Sequence, residues 1–256
     1  MPQMKKILAA PATLFLAALG FLTLSIPAQA QWTGKAELGY LQSSGNTESA
    51  SANTKFDMVH EGSKWRNHFF VGALYSENAE FATAERYEGR YQADYKITDR
   101  LSWFGALRGE QDRYSGFAYQ ATVSTGASYK FIDSPTTKLD ASLGAGYKRS
   151  REETLIKSDA GEVLDRIPGE LENDPVATLS SNYEHAFTET TKITNKLLTE
   201  YGSDNTAVQN DIALQVSMTQ SLALAMGFGI RYNSDPPPLS EDTDTLTTIN
   251  LVYNIK

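Results

Sequence analysis

The chain has 256 residues, a net charge of −8, a pI near 5.0 and no cysteine. The acidic balance, with no basic cluster to offset it, argues against a nucleic-acid partner. The missing cysteines rule out a disulfide framework, a thiolate metal site and a cysteine nucleophile.

The first thirty residues differ from the rest. Lys5 and Lys6 precede a nearly uncharged Leu/Ala-rich run over residues 7–27, and Ala28-Gln29-Ala30 supplies a small-x-small cleavage pattern. Residues 1–30 therefore read as a secretory signal peptide cut between Ala30 and Gln31, although the apolar run is also about long enough to anchor in a bilayer. Cleavage leaves residues 31–256 as one domain of about 226 residues.

From there on a period of two dominates. It begins with Trp32, Ala36, Leu38 and Tyr40, then Ala52, Phe56 and Met58, then Trp65, Phe69, Val71, Ala73 and Tyr75. It is clearest over residues 86–97, where Tyr87, Gly89, Tyr91, Ala93, Tyr95 and Ile97 alternate with Arg86, Glu88, Arg90, Gln92, Asp94 and Lys96. Such a segment is a strand with one apolar and one charged face. Further sets start at Leu101, Tyr119, Leu139, Ala177, Ile193, Val208, Leu222 and Ile249. The total is about twelve strands, an even number.

Short and long links alternate between these strands. Glu61-Gly62-Ser63, Thr98-Asp99-Arg100, Asp133-Ser134-Pro135-Thr136, Thr188-Glu189-Thr190 and Thr219-Gln220-Ser221 are tight turns, whereas residues 77–85, 151–174 and 234–244 read as longer loops. This alternation, the even count and the two-faced strands predict an all-β fold: an antiparallel transmembrane β-barrel of outer-membrane type. The apolar face meets lipid and the charged face lines the lumen, because a Lys or Arg on the lipid face at mid-bilayer costs about 2–4 kcal/mol. Aromatic residues gather near strand ends as two girdles, with Trp65, Tyr95, Trp103, Tyr129, Phe131, Phe187 and Tyr253 at the short-turn rim. Tyr40, Tyr75, Tyr87, Tyr119, Tyr147, Tyr201 and Tyr232 gather at the other. Termini and short turns should face the periplasm of a Gram-negative cell, and the 151–174 loop the exterior.

With the strands placed, the start of the predicted mature chain can be compared. Trp32-Thr33-Gly34-Lys35-Ala36-Glu37-Leu38-Gly39-Tyr40, followed by Ser43-Ser44-Gly45-Asn46-Thr47-Glu48, resembles the salt-induced outer-membrane protein family, also called domain of unknown function 481 (DUF481). The resemblance implies a barrel in the outer membrane and a link to salt stress, and it brings no catalytic residues. Gly45-Asn46 is by itself a good tight-turn pair, since both residues tolerate positive φ.

The expected lumen lining is Lys55, Arg66, His68, Arg86, Glu88, Arg90, Asp94, Arg108, Glu110, Lys148, Lys196, Glu200 and Arg231. These charges are mixed and nearly balanced, which leaves two readings: a narrow path for small solutes or ions, or a structural barrel closed by salt bridges. Gly126, Gly144, Gly146, Gly227 and Gly229 on the same face would either widen the lumen or relieve crowding. An outer-membrane hydrolase is a third reading with thin support: of His60, His68 and His185, only His68 faces the lumen, and no serine stands out beside it. The chain is therefore read as a non-enzyme without a cofactor. Its expected partners are outer-membrane lipid and, during biogenesis, the barrel assembly machinery and periplasmic chaperones. Carboxylates such as Glu152, Glu153, Asp159, Glu162, Glu172 and Asp174 could hold a weakly bound divalent cation, but no fixed ligand spacing appears.

Overall fold

A computed structural model describes residues 32–43, 48–238 and 240–255. The signal segment, its cleavage point and the Gly45-Asn46 turn lie outside the described residues. Twelve strands follow one another: β1 (Trp32–Ser43), β2 (Ser49–Glu61), β3 (Trp65–Asn78), β4 (Ala82–Lys96), β5 (Leu101–Asp112) and β6 (Phe117–Asp133). The second half comprises β7 (Thr137–Lys157), β8 (Val163–Ala186), β9 (Thr191–Tyr201), β10 (Thr206–Ser217), β11 (Leu222–Asn233) and β12 (Thr243–Ile255). Each pairs antiparallel with its sequence neighbours, and β12 returns to β1 to close the barrel. Closure satisfies the backbone without leaving a sheet edge, which a hydrocarbon surround demands.

The alternation predicted from sequence fixes which way each side chain points. Leu143, Met226 and Val71 are 66%, 60% and 58% exposed on the outer face, whereas Glu88, Asp94 and Glu200 on the inner face are buried. This inversion of a soluble protein's pattern is the signature of a transmembrane barrel. The short-turn girdle is continuous from strand to strand: Trp65 pairs with Tyr95 and Tyr95 with Trp103, and the Trp65 and Tyr95 rings meet edge to face at 5.1 Å.

Four of the five short turns share one chemistry. Thr98 Oγ1 accepts from the backbone N–H of Leu101 at 2.9 Å, Thr188 Oγ1 from Thr191 at 3.0 Å, and Thr219 Oγ1 from Leu222 at 2.9 Å. Ser134 Oγ accepts from Thr137 in the same way at 3.0 Å. A hydroxyl three residues before the next strand thus replaces the ladder partner that a reversing backbone loses.

Three sequence expectations need correction. Residues 151–174 are not a loop: β7 and β8 run on past the rest of the wall and pair with each other as far as Lys157 and Val163, so only residues 158–162 turn. Strong local acidity hides this pairing from a search for alternation. The link after β3 is likewise only residues 79–81, because β3 and β4 extend into the span read as a loop. Met58 belongs to the outer face but is only 4% exposed, because it lies over Gly34 of β1, where a side chain would collide with it.

One join differs from the others. β1 and β12 pair over six positions, Gly34–Gly39 against Asn250–Ile255, whereas β2 and β3 pair over thirteen.

Candidate functional site

The inward faces of β4, β5, β7, β9 and β11 contribute a set of charged side chains that meet in the middle of the barrel. Glu88 of β4 lies 2.5 Å from Arg90 on its own strand, 3.3 Å from Arg108 of β5 and 3.3 Å from Arg231 of β11. Arg108 reaches across the interior to Glu200 of β9 at 3.3 Å and also pairs with Glu110. Glu200 takes a second cation, Lys148 of β7, at 3.7 Å, and Arg231 holds Glu110 at 3.1 Å. Arg90 donates to Gln209 of β10 at 2.8 Å, which adds a further crossing. Each carboxylate here meets at least two cations, and Glu88 and Glu200 are 5% and 3% exposed in their side chains. Buried ions of this kind persist only when their partners are complete.

A second crossing lies nearer the short-turn rim. Asp57 of β2 receives Lys196 Nζ of β9 at 2.6 Å and faces His68 Nε2 of β3 at 2.7 Å. Asp94 accepts from Gln92 at 2.8 Å and from Ser128 at 3.2 Å. Arg66 pairs with Glu61 at 3.6 Å. Toward the other rim, Arg86 pairs with Asp112 and lies 3.7 Å from Asp244. Lys55 faces the interior between these layers. All thirteen side chains expected inside are thus on the inner face, and twelve of them make the contacts just described.

Two aromatic residues inside the barrel were not anticipated. Phe104 of β5, 3% exposed, occupies the space left by a glycine: a side chain at Gly144 would meet its ring at 2.8 Å. Gly126 is backed just as closely by the β7 backbone. These glycines therefore make room for Phe104 and for close strand approach, not for water. Phe70 of β3 carries the Arg90 guanidinium 5.2 Å above its ring, a cation–π contact. An aromatic on the charged parity of its strand was the available sequence signal, but its glycine partner becomes visible only once register is known.

Cavities flank and penetrate this arrangement. One of about 370 Å³ opens below it among Lys35, Asp57, His68, Asp94 and Lys196, and another of about 370 Å³ opens above among Arg86, Asp112, Tyr114 and Asp244. A third of about 180 Å³ lies between them. It shares Lys35, Asp57, His68 and Lys196 with the lower cavity, and Arg108, Leu198 and Glu200 with the upper one. The three spaces are thus stacked along the interior, with Arg108, Leu198 and Glu200 between the middle and the upper one.

The remaining candidates are occupied in other ways. His68 faces an aspartate and not a serine; His185 Nδ1 meets Thr137 Oγ1 at 2.8 Å; and His60 packs against Trp32 at a tilt, ring centroids 4.9 Å apart. Asp174 receives the Ser203 hydroxyl at 2.8 Å. Among the described residues, no group of three histidine or carboxylate side chains is arranged to hold a metal ion.

A family model described as "Protein of unknown function, DUF481" matches residues 36–255. The chain is 24% identical over 238 residues to "Uncharacterized protein YdiY" of Escherichia coli (strain K12), covering 92% of this chain and 88% of that one. Among solved structures, an outer membrane channel from Pseudomonas putida F1 is similar at a TM-score of 0.48 and 9% identity, covering 90% of this chain and 97% of that one. A NanC porin is similar at a TM-score of 0.47 and 10% identity, covering 87% and 99%.

Proposed function

The chain belongs to the DUF481 family of proteins of unknown function, and from that premise we propose that it is an outer-membrane barrel whose interior is a narrow, passive path for small solutes or ions. The observation that carries this reading is the stack of three cavities along the interior, the upper two divided by the Arg108–Glu200 pair. At twelve strands the barrel is smaller than the about 16–18-stranded porins that leave a wide aqueous channel. The conductance should accordingly be small. The reading includes export with cleavage after Ala30, insertion by the barrel assembly machinery, and a periplasmic short-turn rim. It treats the protein as non-enzymatic. The salt-stress link implied by the family resemblance belongs to it too, and would appear as a growth defect of a deletion strain in raised salt only.

A second reading has an observation of its own. Glu88, Glu110 and Glu200 are each held between cations from different strands, which would seal the barrel as a non-transporting structural element. Planar-bilayer recording of refolded protein separates the two. The pore reading expects small wild-type steps that grow severalfold in the double variant Arg108→Ala/Glu200→Ala, which removes both ends of the dividing pair. Silence from both proteins, with folding verified by heat-modifiable migration, would leave the sealed barrel standing.

A further inference from the structure

The arginines that face the lumen, Arg66, Arg86, Arg90, Arg108 and Arg231, all have carboxylate partners. Arg149 and Arg151 of β7 have none among the described residues. Both are exposed and continue the outer face of Leu143 and Tyr147, which are 66% and 50% exposed. Arg149 lies opposite Ala121 and Asn173, and Arg151 opposite Tyr119 and Leu171, so no acid stands beside either on that face. Arg151 Nε makes one long contact, to the Gly169 carbonyl at 3.4 Å. Two acids elsewhere along this rim are already engaged: Glu77 accepts from Tyr75 at 2.8 Å, and Glu85 pairs with Arg113 at 3.1 Å.

An arginine on the lipid face is costly at mid-bilayer, and that cost nearly vanishes at the interface. Two of them just beyond Tyr147 therefore mark the level of the headgroups on the long-hairpin side. Guanidinium groups two residues apart on one strand face stand roughly 6–7 Å apart, and each offers a planar fork that fits phosphate oxygens. We propose that Arg149 and Arg151 bind the phosphate of a membrane lipid in the leaflet on the side of the β7–β8 hairpin. A dissolved phosphate would use the charges alone, whereas a lipid also uses the exposed apolar surface of Leu143, Tyr147 and Leu171 beside them. The site rests on the membrane-spanning reading of the barrel and is independent of conduction.

The test uses the full chain in phosphatidylcholine vesicles with and without phosphatidic acid, reading the lipid retained after gentle extraction by native mass spectrometry. Wild type and the opposite-rim control Arg100→Gln should retain phosphatidic acid. Retention should fall about tenfold in Arg149→Gln/Arg151→Gln, with partial rescue in Arg149→Lys/Arg151→Lys, and inorganic phosphate should not displace the lipid. Equal retention in the double glutamine variant, or displacement by inorganic phosphate, would overturn the site. If the wild type never inserts into plain phosphatidylcholine vesicles, the barrel reading fails first and takes the site with it.

Discussion

Glu200 is the residue on which most of the interior depends. It is almost fully enclosed and neutralises Arg108 and Lys148 together. Replacing it with Gln keeps the shape but leaves two buried cations short of a partner, and breaking a buried pair from one side costs about 3–5 kcal/mol. Glu200→Gln should thus lower the denaturant midpoint of the refolded barrel markedly, and the compensating Arg108→Met on that background should restore part of the loss. An additive double mutant would mean that the two side chains do not interact. The face of each of these residues was legible in the sequence, because a period of two assigns every position to one side of the wall. Partnership was not: Arg108 and Glu200 are 92 positions apart, and which charges meet across a barrel depends on register and curvature, which alternation leaves open. The Phe104–Gly144 contact was hidden for the same reason.

At the scale of elements, the strands were readable where turn chemistry and alternation agreed, as at Thr98, Thr188 and Thr219. They were misread where polar residues occupied both faces. The β7–β8 hairpin is the clearest case, since beyond the membrane neither face needs to be apolar and the periodic signal lapses. Its outer part, from Glu153 against Pro168 to Lys157 against Val163, pairs with no other strand. Removing residues 154–167 and joining the stumps with a short turn also deletes the buried Leu155 and the Arg166 bond to the Arg113 carbonyl at 2.6 Å, so it should lower the unfolding midpoint modestly while leaving heat-modifiable migration intact. A barrel that no longer folds after this excision would reveal a contribution from the hairpin to assembly that its pairing does not suggest.

For the molecule as a whole, strand number and inside-out polarity followed from the sequence, but the quality of closure did not. Eleven of the twelve joins are between strands adjacent in sequence, and the twelfth, between β1 and β12, must unite the two ends of the described chain over six paired positions. Its contacts are the most distant in sequence and so carry the largest loop-closure entropy. The join should therefore be the last to form and the first to part, a zipper whose teeth run out partway up the wall. Leu38 lies opposite Leu251 within it, and the native chain has no cysteine to compete. A Leu38→Cys/Leu251→Cys crosslink should thus raise the thermal transition only when oxidised, while an equal gain from a crosslink between β9 and β10 would show that the wall yields everywhere alike. A barrel that opens along a single line can part there without unravelling the charged interior that the other eleven joins hold in place.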